Sequence, residues 1–225
     1  MAISATHYRL LSSLRDKLPH GGTLLEIGEA NWYGDIQPDF PCSQPDSLFA
    51  IAKSCYAAVF APERNVAIDW NGSPEALRID LNLPFDLGER FDVVINHGTA
   101  EHIFNIGQVF ASMHAHCHPG GLMIHESPCQ GWLDHGFYCL QPTLFYDLAA
   151  ANNYEVVLMA AEDAMSDTII RLEGRDHVHR LDLPPNVMLY VAFRKLFDQP
   201  FRYPMQGIYA GTLSASGKKA WEAIR

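Results

Sequence analysis

The chain is short of positive charge. Lys and Arg together number 16 against 26 Asp and Glu, for a formal net charge of −10. A protein that grips a phosphate backbone concentrates cationic side chains on one face, so no nucleic-acid partner is expected. Patterned sulfur is lacking too. The five cysteines, Cys42, Cys55, Cys117, Cys129 and Cys139, contain no C-x-x-C pair, and an odd, irregular set argues against a disulfide framework and fits a reducing, cytoplasmic setting. No apolar run approaches the length of a membrane span, so no membrane partner is expected. The first twenty residues, "MAISATHYRLLSSLRDKLPH", mix apolar and charged positions where a secretory signal needs a continuous apolar stretch. Internal repeats and low-complexity tracts are also missing. So is G-x-G-x-x-G, the fingerprint that lets a pyrophosphate approach bare backbone at a helix N-terminus.

What is present is an ordinary globular balance over 225 residues, 48% hydrophobic and 19% charged, enough for one sizeable domain. Ser4–Leu18 carries Leu10, Leu11, Leu14 and Leu18 at helical spacing, and "SLFAIAKSCYAAVFA" (47–61) is a second helix with Asp46 or Ser47 as its N-cap. Between them, "TLLEIG" reads as a short buried strand, and "GDIQPDFPCSQPD" as loop. Further strands are expected over 65–70, 76–81, 90–98, 122–127, "YEVVLMAA" and 186–195, with helices over "IFNIGQVFASMHAHC" and 140–152. Strands alternate with helices and are apolar throughout, the pattern of a parallel sheet covered on both faces. The expected fold is thus α/β, Rossmann-like and doubly wound, with seven mostly parallel strands and an antiparallel last one. One domain is expected over 1–196, with an N-terminal helix in 1–20. A tail follows over 197–225, serving as lid or interface.

Ligands of open parallel sheets collect at the carboxyl ends of the strands, which directs attention to Glu26 and Gly28, Asp69 and Trp70, Asp80 and Leu81, and Asn96 and His97. An acid closing the second strand suits the two hydroxyls of a ribose. Gly28 is followed by Glu29, Ala30, Asn31, Trp32 and Tyr33 before Gly34, so a pyrophosphate is poorly served. A cofactor without phosphates, carrying an amino-acid end, needs only one glycine for close approach.

These features resemble one family, the class I S-adenosylmethionine-dependent methyltransferases, and within it the small-molecule group often called type 11. The likeness runs from Leu24 to about Pro128. "LLEIGEANWYGD" stands at the first motif, "VAIDW" at the ribose-binding strand, and "RIDLNLPFDLGERFDVVINHGTAEHI" matches through Asp80, Leu83, Pro84, Phe85, Phe91, Asp92, Val93, Val94, Glu101 and His102. "HCHPGGLMIHESP" matches the turn before the fifth strand. The resemblance implies an enzyme that binds S-adenosylmethionine through Glu26, Gly28, Asp69, Trp70, Asp80, Leu81 and Asn96.

The acceptor end is read from "HESPCQGWLDHGFYCLQPTLFYDLAAANNYE". It follows strand five and carries Trp132, Asp134 and Tyr138, which together with Glu126 are expected to bind a small-molecule substrate. His135 is the leading general base and His97 the next. O-methylation of a small polar or sugar-like metabolite is favoured over N-methylation. No metal is expected: His114 and His118 share a helix face, but a cationic residue before a helix C-terminus answers to the exposed carbonyls there. A catalytically silent methyltransferase-fold scaffold and, less well supported, a nicotinamide-dependent oxidoreductase are the alternatives. A homodimer is left open.

Overall fold

The computed structural model describes residues 2–33, 40–42, 47–166 and 168–223. Most of the expected loop after Gly34, and Asp46 as N-cap, lie outside the described residues.

The chain begins with a two-residue strand β1 (Ala2–Ile3), helix α1 (Ala5–Ser13) and a 3-10 turn at Arg15–Lys17. Strand β2 (Thr23–Ile27) leads to a short strand β3 (Asn31–Trp32), which pairs in parallel with β1. Then come α2 (Leu48–Val59), β4 (Arg64–Ile68), β5 (Phe91–His97), a 3-10 turn (Ala100–His102), α3 (Ile106–His116) and the long β6 (Cys117–Gln130). The last part contains α4 (Pro142–Asn152), β7 (Tyr154–Asp163), β8 (Thr168–Arg171), the short α5 (Arg175–Val178), β9 (Val187–Lys195), α6 (Gly207–Thr212) and α7 (Ala215–Glu222).

The main sheet has seven strands in the order β4-β2-β5-β6-β9-β7-β8. Pairs from β4 through β6 are parallel, while β9 runs antiparallel to both β6 and β7. Strand faces alternate into two cores: Leu25, Ile27 and Val94 pack on the α3–α4 side, and Leu24, Val93 and Ile95 on the α1–α2 side. Both faces are buried, which is why these strands read as continuous apolar runs. Ser47 caps α2 by accepting a hydrogen bond from the Ala50 backbone N–H at 3.1 Å.

The seven strands are not the seven read from the sequence. Residues 76–81 form no strand; they touch β4 through one bridge, Ile68 to Leu77. The guanidinium of Arg78 donates to the carbonyls of Asp69, Gly72, Ser73 and Ala76, folding the segment back on itself, and the Asp80 carboxylate closes a turn on Asn82. The seventh strand is β8, at the opposite edge and only four residues long.

The segment after β9 is anchored on α4 and on the end of α3. Asn152 exchanges hydrogen bonds with the Arg202 backbone, Gly207 N–H donates to Asp147, and the Gln199 carbonyl meets His114. Buried Lys195 donates from Nζ to the His114 and Cys117 carbonyls at 2.8 and 3.0 Å, capping the end of α3. All five cysteines are free thiols. No helix among the described residues is long and apolar enough to cross a membrane.

Candidate active site

Strand order reverses between β2 and β5, and at such a point the loops leaving the carboxyl ends splay apart. A cavity of about 770 Å³ opens there, lined from β2, β4, β5, β6 and the N-terminal segment. That volume is in the range of small-molecule and cofactor sites.

One end is built by the turns after β2 and β4. Gly28 adopts φ of +86°, a left-handed backbone that favours glycine, and its N–H donates to the Ile68 carbonyl at 2.8 Å. Asp69 accepts from the backbone N–H groups of Glu29 (3.0 Å) and Asn71 (2.7 Å). A carboxylate has about four acceptor positions, so these two bonds orient Asp69 and leave capacity for a ligand's hydroxyls. Glu29 is buried and takes hydrogen bonds from Ser73 N–H and Oγ, with Lys53 Nζ at 3.3 Å. It thereby ties the loop carrying Trp70 to the turn after β2. Trp70, Leu81 and Ile79 complete this end.

Trp32 and Tyr33 separate by strand alternation. Trp32 turns into the core, edge-on to Phe40, while Asn31 and Tyr33 line the cavity. The pairing of β3 with β1 fastens Ala2, Ser4 and His7 along the cavity wall.

The floor is a polar row set by strand register. His97 pairs with Glu126 across β5–β6, and Glu126 with Tyr190 across β6–β9. Tyr190 donates to Glu162 at 2.6 Å and approaches Glu126 at 3.1 Å. Ser4 N–H donates to His7 Nδ1 at 3.0 Å, so Nε2 carries the proton and donates it to Glu126 at 2.6 Å. The His97 ring lies 4.9 Å from that of His7, and its Nδ1 has no partner among the described residues. Burial, then the neighbouring His7 and His125, hold His97 well below the usual imidazole range, hence neutral.

The other end is built by the turn after β5 and the loop after β6. Glu101 is completely buried, and among the described residues neither carboxylate oxygen has a hydrogen-bond partner. Burial, abetted by Glu126, pushes its carboxyl up to about 7. Nε2 of His135 lies 3.8 Å and Nε2 of His102 3.9 Å from Glu101 Oε1. The loop is held by left-handed backbone at Gly131, Trp132 and Asp134, by Trp132 Nε1 donating to the Val187 carbonyl, and by Phe137 N–H donating to Glu101 O. Gly136 permits the close approach: a Cβ there would lie 3.1 Å from both Glu101 O and His102 Nδ1.

Of the residues expected from sequence, the fold brings Gly28, Asp69, Trp70, Leu81, His97, Glu126, Trp132 and His135 to this one cavity. Four do different work. Glu26 is buried beneath the first turn, accepting from Ala30 N–H, Tyr56 and Asn65, and burial raises its carboxyl to about 7. Asn96 is equally buried and uses its side-chain oxygen to hold the Thr99 and Ala100 N–H groups. Both shape backbone rather than touch the cavity. Asp80 is spent on Asn82, and Tyr138 donates to the Phe104 carbonyl. Asp134 also stays off the main cavity, beside a shallow recess with Phe137.

His7, Glu162 and Tyr190 lie far from the motif region, and only tertiary structure joins them to it. Glu101 and His102 were visible as motif residues but without a role. In the histidine run, α3 ends at His116 and His118 falls in β6, so His114 and His118 share no helix face; both ring nitrogens of His114 are occupied by Tyr154 and the Gln199 carbonyl.

No protein-family model matches the chain, and no curated protein matches it. Solved structures do. One is a protein of Bacillus halodurans assigned provisionally as a methyltransferase, 10% identical, with TM-score 0.54, over 84% of this chain and 99% of that one. Another is the 1,6-didemethyltoxoflavin N1-methyltransferase of Burkholderia thailandensis, solved with 1,6-didemethyltoxoflavin and S-adenosylhomocysteine. It is 14% identical, with TM-score 0.53, over 84% and 78% of the respective chains. The chain thus has the fold of the class I S-adenosylmethionine-dependent methyltransferases.

Proposed function

We propose that this protein binds S-adenosylmethionine and transfers its methyl group to a small polar acceptor, at oxygen rather than nitrogen. The observation that carries the reading is the division of one cavity at the strand switch point into two chemically distinct ends. Gly28, Asp69, Trp70 and Leu81 stand at one end, and Glu101, His102, Trp132 and His135 at the other.

The cofactor would supply an electrophilic methyl on a sulfonium. The residues present fit it: Asp69 keeps acceptor capacity for two ribose hydroxyls, Trp70 and Leu81 offer apolar faces to an adenine, and Gly28 allows close approach of the amino-acid end. The described lining contains Asp69, Glu101, Glu126 and Glu162 but no lysine or arginine, which suits a cationic cofactor and disfavours phosphates and anionic acceptors. Methyl transfer is an in-line displacement that the protein serves mainly by alignment. A hydroxyl must also lose its proton, and the histidine- and glutamate-lined end provides groups to receive it. The Burkholderia enzyme acts on a ring nitrogen; the base-rich end is what favours oxygen here.

Calorimetry with S-adenosylmethionine, S-adenosylhomocysteine and NAD tests the reading. Both sulfur cofactors are expected to bind and NAD not, with Asp69→Ala weakening S-adenosylhomocysteine at least about 10-fold through the loss of two charge-assisted hydrogen bonds. Absence of binding at high micromolar concentration, or unchanged affinity in Asp69→Ala, overturns it.

A further inference from the structure

We propose that Glu101, His102 and His135 bind a single divalent transition-metal ion at the acceptor end of the cavity, with open coordination positions facing the cavity. One ligand atom from each residue lies within 4.8 Å of the other two. Ligands bonded to zinc at about 2.0–2.1 Å stand about 3.0–3.4 Å apart in octahedral or tetrahedral geometry. The 3.8 and 3.9 Å separations from Glu101 Oε1 therefore need to contract by about 0.4–0.9 Å, and the two histidines, within 4.8 Å of each other, need to close by up to about 1.8 Å, a movement for exposed side chains.

The strongest sign is Glu101. A carboxylate fully out of solvent with both oxygens unpartnered among the described residues is costly, and such groups are normally paired or bound to metal. Here two imidazole nitrogens face it, and no lysine or arginine stands in the described lining of the cavity to compete for it. The surrounding backbone is committed to this approach: three left-handed residues, Gly131, Trp132 and Asp134, bend the loop back, and Gly136 brings it onto Glu101 and His102 without a side chain in the way. Two imidazoles and one carboxylate select zinc, iron(II), cobalt(II) or manganese(II) over the all-oxygen preference of magnesium and calcium.

A second trio, His7, His97 and Glu126, is equally close but chemically closed. Ser4 N–H fixes His7 with its proton on Nε2, that proton is already given to Glu126, and the Tyr190 hydroxyl crowds the other Glu126 oxygen at 3.1 Å. A metal would have to displace the proton between His7 and Glu126 and overturn the tautomer that Ser4 fixes.

Resting on the methyl-transfer reading, the ion's task is to hold the acceptor oxygen and make it acidic. The acceptor O–H bond breaks and its proton passes to solvent. The oxygen lone pair then forms the bond to the methyl carbon as the carbon–sulfur bond breaks, its electron pair going to sulfur, which leaves a neutral thioether. His135 then acts as a ligand rather than as the base expected from sequence.

The test uses the full chain, stripped with EDTA and dialysed, then titrated with Co²⁺ while recording visible d–d absorption and, by equilibrium dialysis, stoichiometry. One equivalent is expected, displaced by Zn²⁺. Glu101→Gln, His102→Ala and His135→Ala should each weaken it at least about 100-fold, and His7→Ala should leave it within about threefold. His102 and His135 are exposed, so their variants report even if Glu101→Gln fails to fold by circular dichroism. Absence of saturable binding, retention in both histidine variants, or loss in His7→Ala overturns the site. S-adenosylhomocysteine calorimetry in EDTA reads the cofactor end separately, so failure of the metal site and failure of the methyl-transfer reading give different results.

Discussion

Replacing Glu26 by Gln tests the buried carboxyl beneath the first turn. Glu26 is out of solvent, and burial outweighs its hydrogen bonds to raise the carboxyl from an ordinary 4.5 to about 7. The folded state therefore keeps a proton that the unfolded chain releases on going from about pH 4.5 to 7. Stability from this group is fully present at low pH, falls as pH rises through that window, and is level above it. At about 1.36 kcal/mol per pH unit the loss amounts to about 3 kcal/mol. Gln keeps an acceptor for Ala30 N–H, and its amide can donate to Asn65 Oδ1, which has no partner; it has nothing to titrate. Urea unfolding of wild type and Glu26→Gln from pH 5 to 8 isolates the effect, because every other group, Glu101 included, cancels in the difference. The variant should gain about 2–3 kcal/mol on wild type across that range. Parallel profiles would refute the argument.

Gly131→Ala forces a left-handed alanine whose Cβ would lie 2.3 Å from the Pro185 carbonyl. It should cost at least about 2 kcal/mol, lower Tm by several degrees, and speed amide exchange over 131–139; an unchanged Tm and exchange pattern would count against the strained-loop description. Lys195→Met leaves the His114 and Cys117 carbonyls at the end of α3 without their buried donor. A loss of about 2–4 kcal/mol is expected in denaturant titration, and less than about 1 kcal/mol would mean that water replaces the ammonium.

The parallel core was legible because burial on both faces writes an unbroken apolar run, as in Val93–Ile95 and Leu24–Ile27. Its edges were not. Residues 76–81 carry a strand-like pattern, yet Arg78 satisfies the local carbonyls and turns the segment away. β8 is too short to stand out and exists because β7 offers it an edge. Asp69, Gly28 and His135 could be named from their place after strands, since the carboxyl ends of a parallel sheet face one crevice whatever the loops contain.

The sequence by itself determined the α/β class, the strand ends that line the cavity, and a first turn without the glycine pattern a pyrophosphate needs, because these depend on local pattern and on the geometry common to parallel sheets. Only the tertiary structure decided what each polar residue does there. Glu26 and Asn96 sit at strand ends and prove to be backbone props, since their oxygens are taken by nearby N–H and O–H groups. Glu101 is left buried and, among the described residues, unpartnered between two histidines, one its neighbour in sequence and the other more than thirty residues away. His7 and Tyr190 meet Glu126 only because β1 pairs with β3 and β9 slots between β6 and β7. Such juxtapositions are set by strand register and chain reversal, which no local stretch of the sequence records.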